Sequence, residues 1–170
     1  DLSVEQIKVC EAKNLNAKAI SLAEVQEKFD CATAIFDVLN YIPKKELKTF
    51  IKETNLVLNQ GAYFIFDVNS LFGFDEVAQG CITIDVEDKF IAIDANFENN
   101  KLQTDITLFE KQENGLFSKE SDSIIQEYHS KEFLSKVLKE CNFEIVEIKE
   151  FNLHTDENAD KLIFICKKIA

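Results

Sequence analysis

The apolar residues of this chain change their period once, near residue 75, and that change limits the folds open to it. Before it, helical spacing alternates with short runs that are apolar at nearly every position. Ser3 with Gln6 has the form of a capping box, and Val4, Ile7 and Cys10 recur at helical spacing until Asn14 to Asn16 end the run. Residues 17–22 form a short apolar stretch and Phe29–Phe36 a longer one, which predicts buried strands. Pro43 stands where a first helical turn tolerates it, and Leu47, Phe50, Ile51, Thr54 and Leu58 mark one helix face with Gly61 expected as the C-terminal cap. Ala62–Phe66 is another apolar strand, running into Asp67-Val68-Asn69. Helices alternating with such strands predict parallel βαβ units with both sheet faces covered.

Beyond residue 75 the period becomes two. Cys81–Val86, Phe90–Phe97, Lys101–Glu110 and Leu116–Tyr128 alternate polar and apolar residues, with Asn99-Asn100 and Asn114-Gly115 as hairpin turns. This predicts an antiparallel meander with one solvated face. The helical period returns at Phe133, Leu134, Val137, Leu138 and Cys141, and two strands follow, Phe143–Phe151 and Leu162–Cys166, joined by an acidic loop. The chain therefore divides into 1–75, 76–130 and 131–170, the middle segment being an insertion.

A chain of 170 residues, 46% hydrophobic with fifteen Phe, can bury a core, and no run of 18 apolar residues offers a membrane span. The formal net charge is −12, and all 19 basic residues are Lys. A nucleic-acid surface calls for a basic stripe and usually Arg forks, so a nucleic-acid substrate is disfavoured. Cys10, Cys31, Cys81, Cys141 and Cys166 are scattered and form no CxxC pair, which favours free thiols in a reducing cytoplasm over a metal site.

The order of elements, and several local patterns, carry a resemblance. Asp1-Leu2-Ser3 before a capped helix resembles a strand ending in an acidic residue. Phe29-Asp30 with Phe36-Asp37-Val38-Leu39-Asn40-Tyr41 resembles a fourth strand and the loop beyond it. Leu58-Asn59-Gln60-Gly61-Ala62 resembles the turn into a fifth strand, and Cys141-Asn142-Phe143 the turn into a sixth. Together they resemble the class I S-adenosylmethionine-dependent methyltransferases from the end of the second strand onward, in the branch with an antiparallel insert after the fifth strand. The resemblance implies a Rossmann-like α/β sheet of parallel strands with a closing antiparallel strand pair, S-adenosyl-L-methionine as methyl donor, a small-molecule acceptor and no metal.

Methyl transfer from a sulfonium is mostly positioning, because the donor is already activated. The resemblance places Asp1 and Leu2 at the donor ribose; Asp1 alone could equally be a solvated carboxylate. It places Ser21, Leu22 and Ala23 at the adenine, where Leu22 departs from the family's Asp. Phe36 and Asp37 would line the methionine end, Phe36 having plain core as its alternative. Asn40 and Tyr41 would orient an acceptor or else cap the Pro43 helix. Asp67 and Asn69 would face the same crevice, since ligands of open α/β sheets sit beyond carboxyl strand ends. His129, where the insert returns to the sheet, would take the acceptor's proton or serve as a half-buried spacer, with Tyr41 beside it in the catalytic set. The insert would be a substrate lid or a homodimer surface.

The four glycines, Gly61, Gly73, Gly80 and Gly115, form no G-x-G-x-x-G. The family's first strand, glycine turn and first helix are therefore expected to be absent. The chain would then be a truncated piece, inactive alone, with an open sheet edge that a partner chain could cover. Two other readings compete: a non-catalytic methyltransferase-like binding module, and a piece of a nicotinamide-dependent oxidoreductase, which requires a parallel last strand.

Overall fold

A computed structural model describes residues 3–153 and 158–169. Helices α1 (Val4–Ala12), α2 (Lys44–Leu56) and α3 (Lys131–Glu140) accompany strands β1 (Phe29–Ala34), β2 (Leu58–Asn69), β3 (Gly80–Val86), β4 (Lys89–Glu98), β5 (Lys101–Lys111), β6 (Phe117–Glu127), β7 (Phe143–Phe151) and β8 (Lys161–Lys168). Short 3-10 turns cover Leu22–Glu24 and Val38–Tyr41, and a π-helical turn covers Gly73–Val77. No helix of the described residues is long and apolar enough to cross a membrane.

Alternate residues of β2 explain the main core. Ala62, Phe64, Phe66 and Val68 are buried on one face, and the register sets Phe64 beside Cys166 and Phe66 beside Phe164 of β8. The Phe66 and Phe164 rings stack at 4.9 Å, and Phe64 lies 5.7 Å from Phe143. Leu47 and Ile51 of α2 and Leu134, Val137 and Leu138 of α3 close that face, each helix presenting its apolar stripe. The first sheet runs β1-β2-β8-β7, with β1 and β2 parallel and β8 antiparallel to both neighbours. That closing antiparallel pair matches the sequence expectation and removes the oxidoreductase reading.

The meander forms as its period of two predicts, as a second sheet ordered β3-β4-β5-β6 and antiparallel throughout. Asn99 and Asn100 both take positive φ, 54° and 62°, the geometry a two-residue hairpin turn requires. Phe74, on the turn after β2, packs onto the second sheet. It is buried on the π-helical turn, stacked 5.2 Å from Phe97 and edge-on to Tyr128.

Five expectations need correction. Residues 17–22 form no strand: Ser21 N and Oγ both donate to the Glu24 carboxylate, at 3.0 and 2.9 Å, and these local bonds favour a turn over a ladder. Gly61 does not cap α2, which ends at Leu56 with Val57 as its cap. Leu58 and Gly61 belong instead to β2, where the register jumps from Phe29–Leu58 to Cys31–Tyr63 and Gly61 takes φ 78° to let the extra residues bulge out. The first apolar strand stops at Ala34 and is mostly exposed, because β1 is an edge strand of the described sheet. The sheet face away from α2 and α3 is only partly covered, Tyr63 being 40% exposed. Pro43 is the N-cap of α2 rather than its first helical residue.

Candidate functional site

The carboxyl ends of the parallel strands lie side by side, Ala34 pairing with Phe66. Just beyond, Phe36 and Asp37 both take the left-handed conformation, with φ of 66° and 60°. Two successive non-glycine residues there cost about 1–3 kcal/mol each, so other contacts must hold them. Asp67 supplies those contacts: its carboxylate accepts the Phe36 amide at 2.8 Å and the Asp37 amide at 3.3 Å.

Lys161, the first residue of β8, binds the same carboxylate. Its Nζ donates to Asp67 Oδ2 at 2.9 Å and also to Asp37 Oδ1. Asn69 Nδ2 donates to Asp37 Oδ2 at 3.2 Å. Burial alone would raise the pKa of Asp67, but the Lys161 ammonium and the hydrogen bonds around it outweigh burial and hold it below the ordinary value. The same bonds raise Lys161 against the effect of its own burial. The cluster thus sets two carboxylates against one ammonium, and beside it Phe36 is 79% and Tyr41 49% exposed. Burial, then the Asp37 charge, raises the Tyr41 phenol above its usual pKa.

Asn40 connects this cluster to the meander. It is fully buried, its Oδ1 accepting the Asn69 amide at 3.0 Å and its Nδ2 donating to the Glu127 carbonyl at 2.9 Å. Asn40 therefore neither caps α2 nor lies at the mouth of the cluster. The α2 cap comes from Glu127, whose Oε2 accepts the Lys44 amide at 2.8 Å. That bond, joined by Lys101 at 3.2 Å, keeps the Glu127 carboxyl below its usual pKa although burial opposes it.

His129 stands at the same seam, 1% exposed, with Nε2 at 3.1 Å from the carbonyls of both Leu39 and Ile42. Burial lowers its pKa, against the raising effect of those two bonds. A neutral ring with Nε2–H donating fits this geometry and ties the 38–41 turn to the end of β6. A cleft of about 380 Å³ opens beside the seam, lined by Lys44, Asn99, Asn100, Lys101, Glu127, Tyr128 and Ser130.

Of the residues singled out from sequence, the structure brings together Phe36, Asp37, Asn40, Asp67 and Asn69, with Tyr41 on the adjoining turn. Ser21, Leu22 and Ala23 sit on or beside the 22–24 turn, which lies against α2, and no hydrogen bond among the described residues joins them to the cluster. Asp1 and Leu2 lie outside the described residues. No group of three or more His, Cys, Asp or Glu among the described residues is arranged to hold a metal ion. Sequence reasoning missed Lys161 and Glu127. Neither belongs to a motif, and the partners of Lys161 lie 94 and 124 residues away.

No family model matches the sequence, and neither does any curated protein. Solved structures do match. An S-adenosylmethionine-dependent methyltransferase from Clostridium acetobutylicum ATCC 824 superposes over all of this chain and 74% of its own, with a TM-score of 0.83 at 21% identity. The sugar N-methyltransferase KedS8 from Streptoalloteichus sp ATCC 53650 gives 0.77 at 12% identity over all of this chain and 70% of its own. The amino pentose methyltransferase CalS10 from Micromonospora echinaspora gives 0.73 at 12% identity over 99% of this chain and 72% of its own. This chain has the Rossmann-like α/β fold of the class I S-adenosylmethionine-dependent methyltransferases.

Proposed function

We propose that this protein transfers a methyl group from S-adenosyl-L-methionine to a small-molecule acceptor. The supporting observation is the rigid cluster beyond the carboxyl ends of β1 and β2, on a fold shared with enzymes of that kind. The donor's sulfonium is cationic, and the cluster carries one more carboxylate than ammonium beside two exposed aromatic residues, a surface suited to a cation. Phe36 and Asp37 would hold the donor's methionine end, and Tyr41 would face the acceptor. The donor, when bound, supplies an activated methyl group. What remains for the protein is to orient the two partners and keep water out. The names of the solved neighbours, amino pentose and sugar N-methyltransferases, support a small polar acceptor.

The work of each residue follows from its bonds. Asp67 and Lys161 hold the Phe36–Asp37 turn, and Asn40 fixes that turn against β6. His129 sets the path of residues 39–42 through its two carbonyl bonds; a base role for it would rest on Nδ1, which is buried without a hydrogen-bond partner. The free thiols support a reducing, cytoplasmic setting.

A second reading, a non-catalytic module on the same fold, draws on the fact that both carboxylate oxygens of Asp37 and of Asp67 are already occupied within the protein. Calorimetry with S-adenosylhomocysteine on the protein at its full natural length separates the two. Binding that weakens at least tenfold in Phe36→Ala, with an unchanged circular dichroism spectrum, supports methyl transfer. A folded protein that takes up no donor analogue overturns it.

A further inference from the structure

The cleft beside the seam presents more hydrogen-bond donors than its own acceptors use. It opens between the Asn99–Asn100 turn and the starts of α2 and α3, with a volume of about 380 Å³. Glu127 is the one carboxylate that lines it, and both its oxygens are occupied. Oε2 accepts the Lys44 amide, and Oε1 lies 3.2 Å from Lys101 Nζ. The cross-strand neighbours of Lys101 are Glu98 and Glu127, and only Glu127 comes within ion-pair distance. Lys44 has no such partner among the described residues. Its Nζ stands 4.6 Å from the centroid of the Phe133 ring, a contact that places the ammonium while leaving its N–H bonds without a conventional acceptor. The side-chain amides of Asn99 and Asn100 likewise have no hydrogen-bond partner among the described residues. On a chain of net charge −12, two ammonium groups that share one carboxylate are a local exception.

We propose that this cleft binds the oxyanion group of a small molecule, a phosphate or a carboxylate, with Lys44 as its principal contact and Lys101, Asn99 and Asn100 completing the donor set. A multi-oxygen anion is the ligand that matches an unpaired ammonium, a second ammonium with N–H groups to spare and two amides. The donors come from separate elements and are held in place without the ligand. The Tyr128 amide donates to the Asn100 carbonyl at 2.9 Å, tying the hairpin turn to the segment that leads into α3. Asn99 and Asn100 hold the turn itself at φ 54° and 62°, and the Lys101–Glu127 pair fixes the end of β6 against it. Such preorganisation lowers the ordering cost of binding. A polyanion is a poor fit, because the strongly acidic chain would repel its remaining charges.

The proposal does not depend on methyl transfer, and its readout uses no methyl donor. Calorimetric titration of the full chain with inorganic phosphate, at an ionic strength fixed with chloride, should saturate with a Kd of about 0.1–10 mM. Lys44→Gln should weaken that binding about tenfold with an unchanged circular dichroism spectrum, the loss expected for one charge-assisted hydrogen bond. Lys52→Gln removes the same charge from an exposed position further along α2 and should leave the affinity within about twofold. Asn99→Asp sets a carboxylate in the cleft at a residue type that tolerates the same backbone, and it should abolish binding; it also decides the matter if Lys44→Gln loses its fold. Glycerol 3-phosphate and acetate identify the source. Tighter binding of the monoester supports an anchor for a phosphate on a larger molecule, equal binding supports a site for the free ion, and preference for acetate supports a carboxylate. Absence of saturable binding by all three anions up to about 20 mM overturns the proposal. So does an equal loss in Lys44→Gln and Lys52→Gln, which would assign the effect to net charge, or undiminished binding in Asn99→Asp.

Discussion

Lys161 Nζ lies 2.9 Å from Asp67 Oδ2, with only 11% of the lysine and 9% of the aspartate side chain exposed. The pair joins the start of β8 to the end of β2, and Asp67 uses its remaining capacity to hold the Phe36 and Asp37 amides. Replacing Lys161 by Met keeps the stem but leaves two carboxylates without their cation. Breaking such a buried pair should cost about 3 kcal/mol at neutral pH, read from urea unfolding. The pH dependence follows from the two shifts. The lowered Asp67 contributes stability that is present above its ordinary value of 3.8 and lost as pH falls through its folded value. The raised Lys161 contributes stability that is present below 10.5 and lost as pH rises through its folded value. The gap between wild type and Lys161→Met should therefore be widest between about pH 4 and 10 and shrink beyond either end. A gap that stays constant down to pH 2 would mean that the pair does not supply it.

Asn40 is the only side chain described here that bonds both Asn69 of the strand-end cluster and Glu127 of the meander. Asn40→Ala leaves the Asn69 amide and the Glu127 carbonyl without that partner. The expected loss is about 2 kcal/mol in thermal or chemical unfolding. Asn40→Asp keeps the acceptor for Asn69 but sets a carboxylate against the Glu127 carbonyl, so it should be less stable than Asn40→Ala. Equal stability of the two variants would show that the Glu127 bond contributes nothing.

Much of this architecture is legible in the sequence because the hydrophobic period reports burial directly. The meander and α3 follow from the spacing of apolar residues, and the Asn99-Asn100 turn from the identity of its two residues. Residues 17–22 mislead because an apolar run does not say whether a neighbouring strand exists, and here the Ser21–Glu24 bonds decide the matter locally. Gly61 misleads for a related reason, since a positive-φ glycine suits a helix cap and a bulge equally well, and only the β1–β2 register distinguishes them. In the cluster, Asp37, Asp67 and Asn69 were accessible because strand-end polar residues are the expected ones in an open α/β sheet. Lys161 was not. A single Lys ahead of an apolar run is the commonest kind of strand end, and its partners lie more than ninety residues away.

His129 should make stability depend on pH through its own neutrality. Burial lowers its folded pKa, so its contribution is present in full above the ordinary value of 6.5 and drains away as pH falls toward the lowered folded value. Urea midpoints at about pH 7.5 and 5.5 should therefore differ in the wild type and converge in His129→Gln, which retains a donor for the Leu39 and Ile42 carbonyls. An equal slope in both proteins would move the pH effect to another group.

The five thiols should separate by burial. Cys166 is buried, which pushes it up to about 12, and burial likewise raises Cys141. Cys31 and Cys81 are exposed, but Cys81 donates to Asp94 Oδ1 at 2.9 Å and that bond raises its pKa. Iodoacetamide at about pH 8 should therefore label Cys31 ahead of Cys81 and spare Cys141 and Cys166 until denaturant is added. Peptide mass spectrometry over time gives the order. Early labelling of Cys166 in folded protein would mean that β8 opens.

Gly73 begins the π-helical turn that delivers Phe74 to Phe97 and Tyr128, and a Cβ there would run into the backbone carbonyl of Asp160. That carbonyl cannot easily yield, because it also accepts the Ser70 amide at 2.9 Å while Ser70 Oγ donates to the Ala159 carbonyl at 2.6 Å. Gly73→Ala should thus cost about 2–3 kcal/mol, as overpacking does. It should also loosen Phe74 from its aromatic partners, lowering the near-ultraviolet circular dichroism signal. Gly80→Ala makes the comparison. Its added Cβ meets nothing, so only the strain of φ 118° remains, and a loss of about 1 kcal/mol is expected. Should Gly73→Ala prove the milder of the two, the close approach of the Asp160 carbonyl would not be what requires glycine at this position.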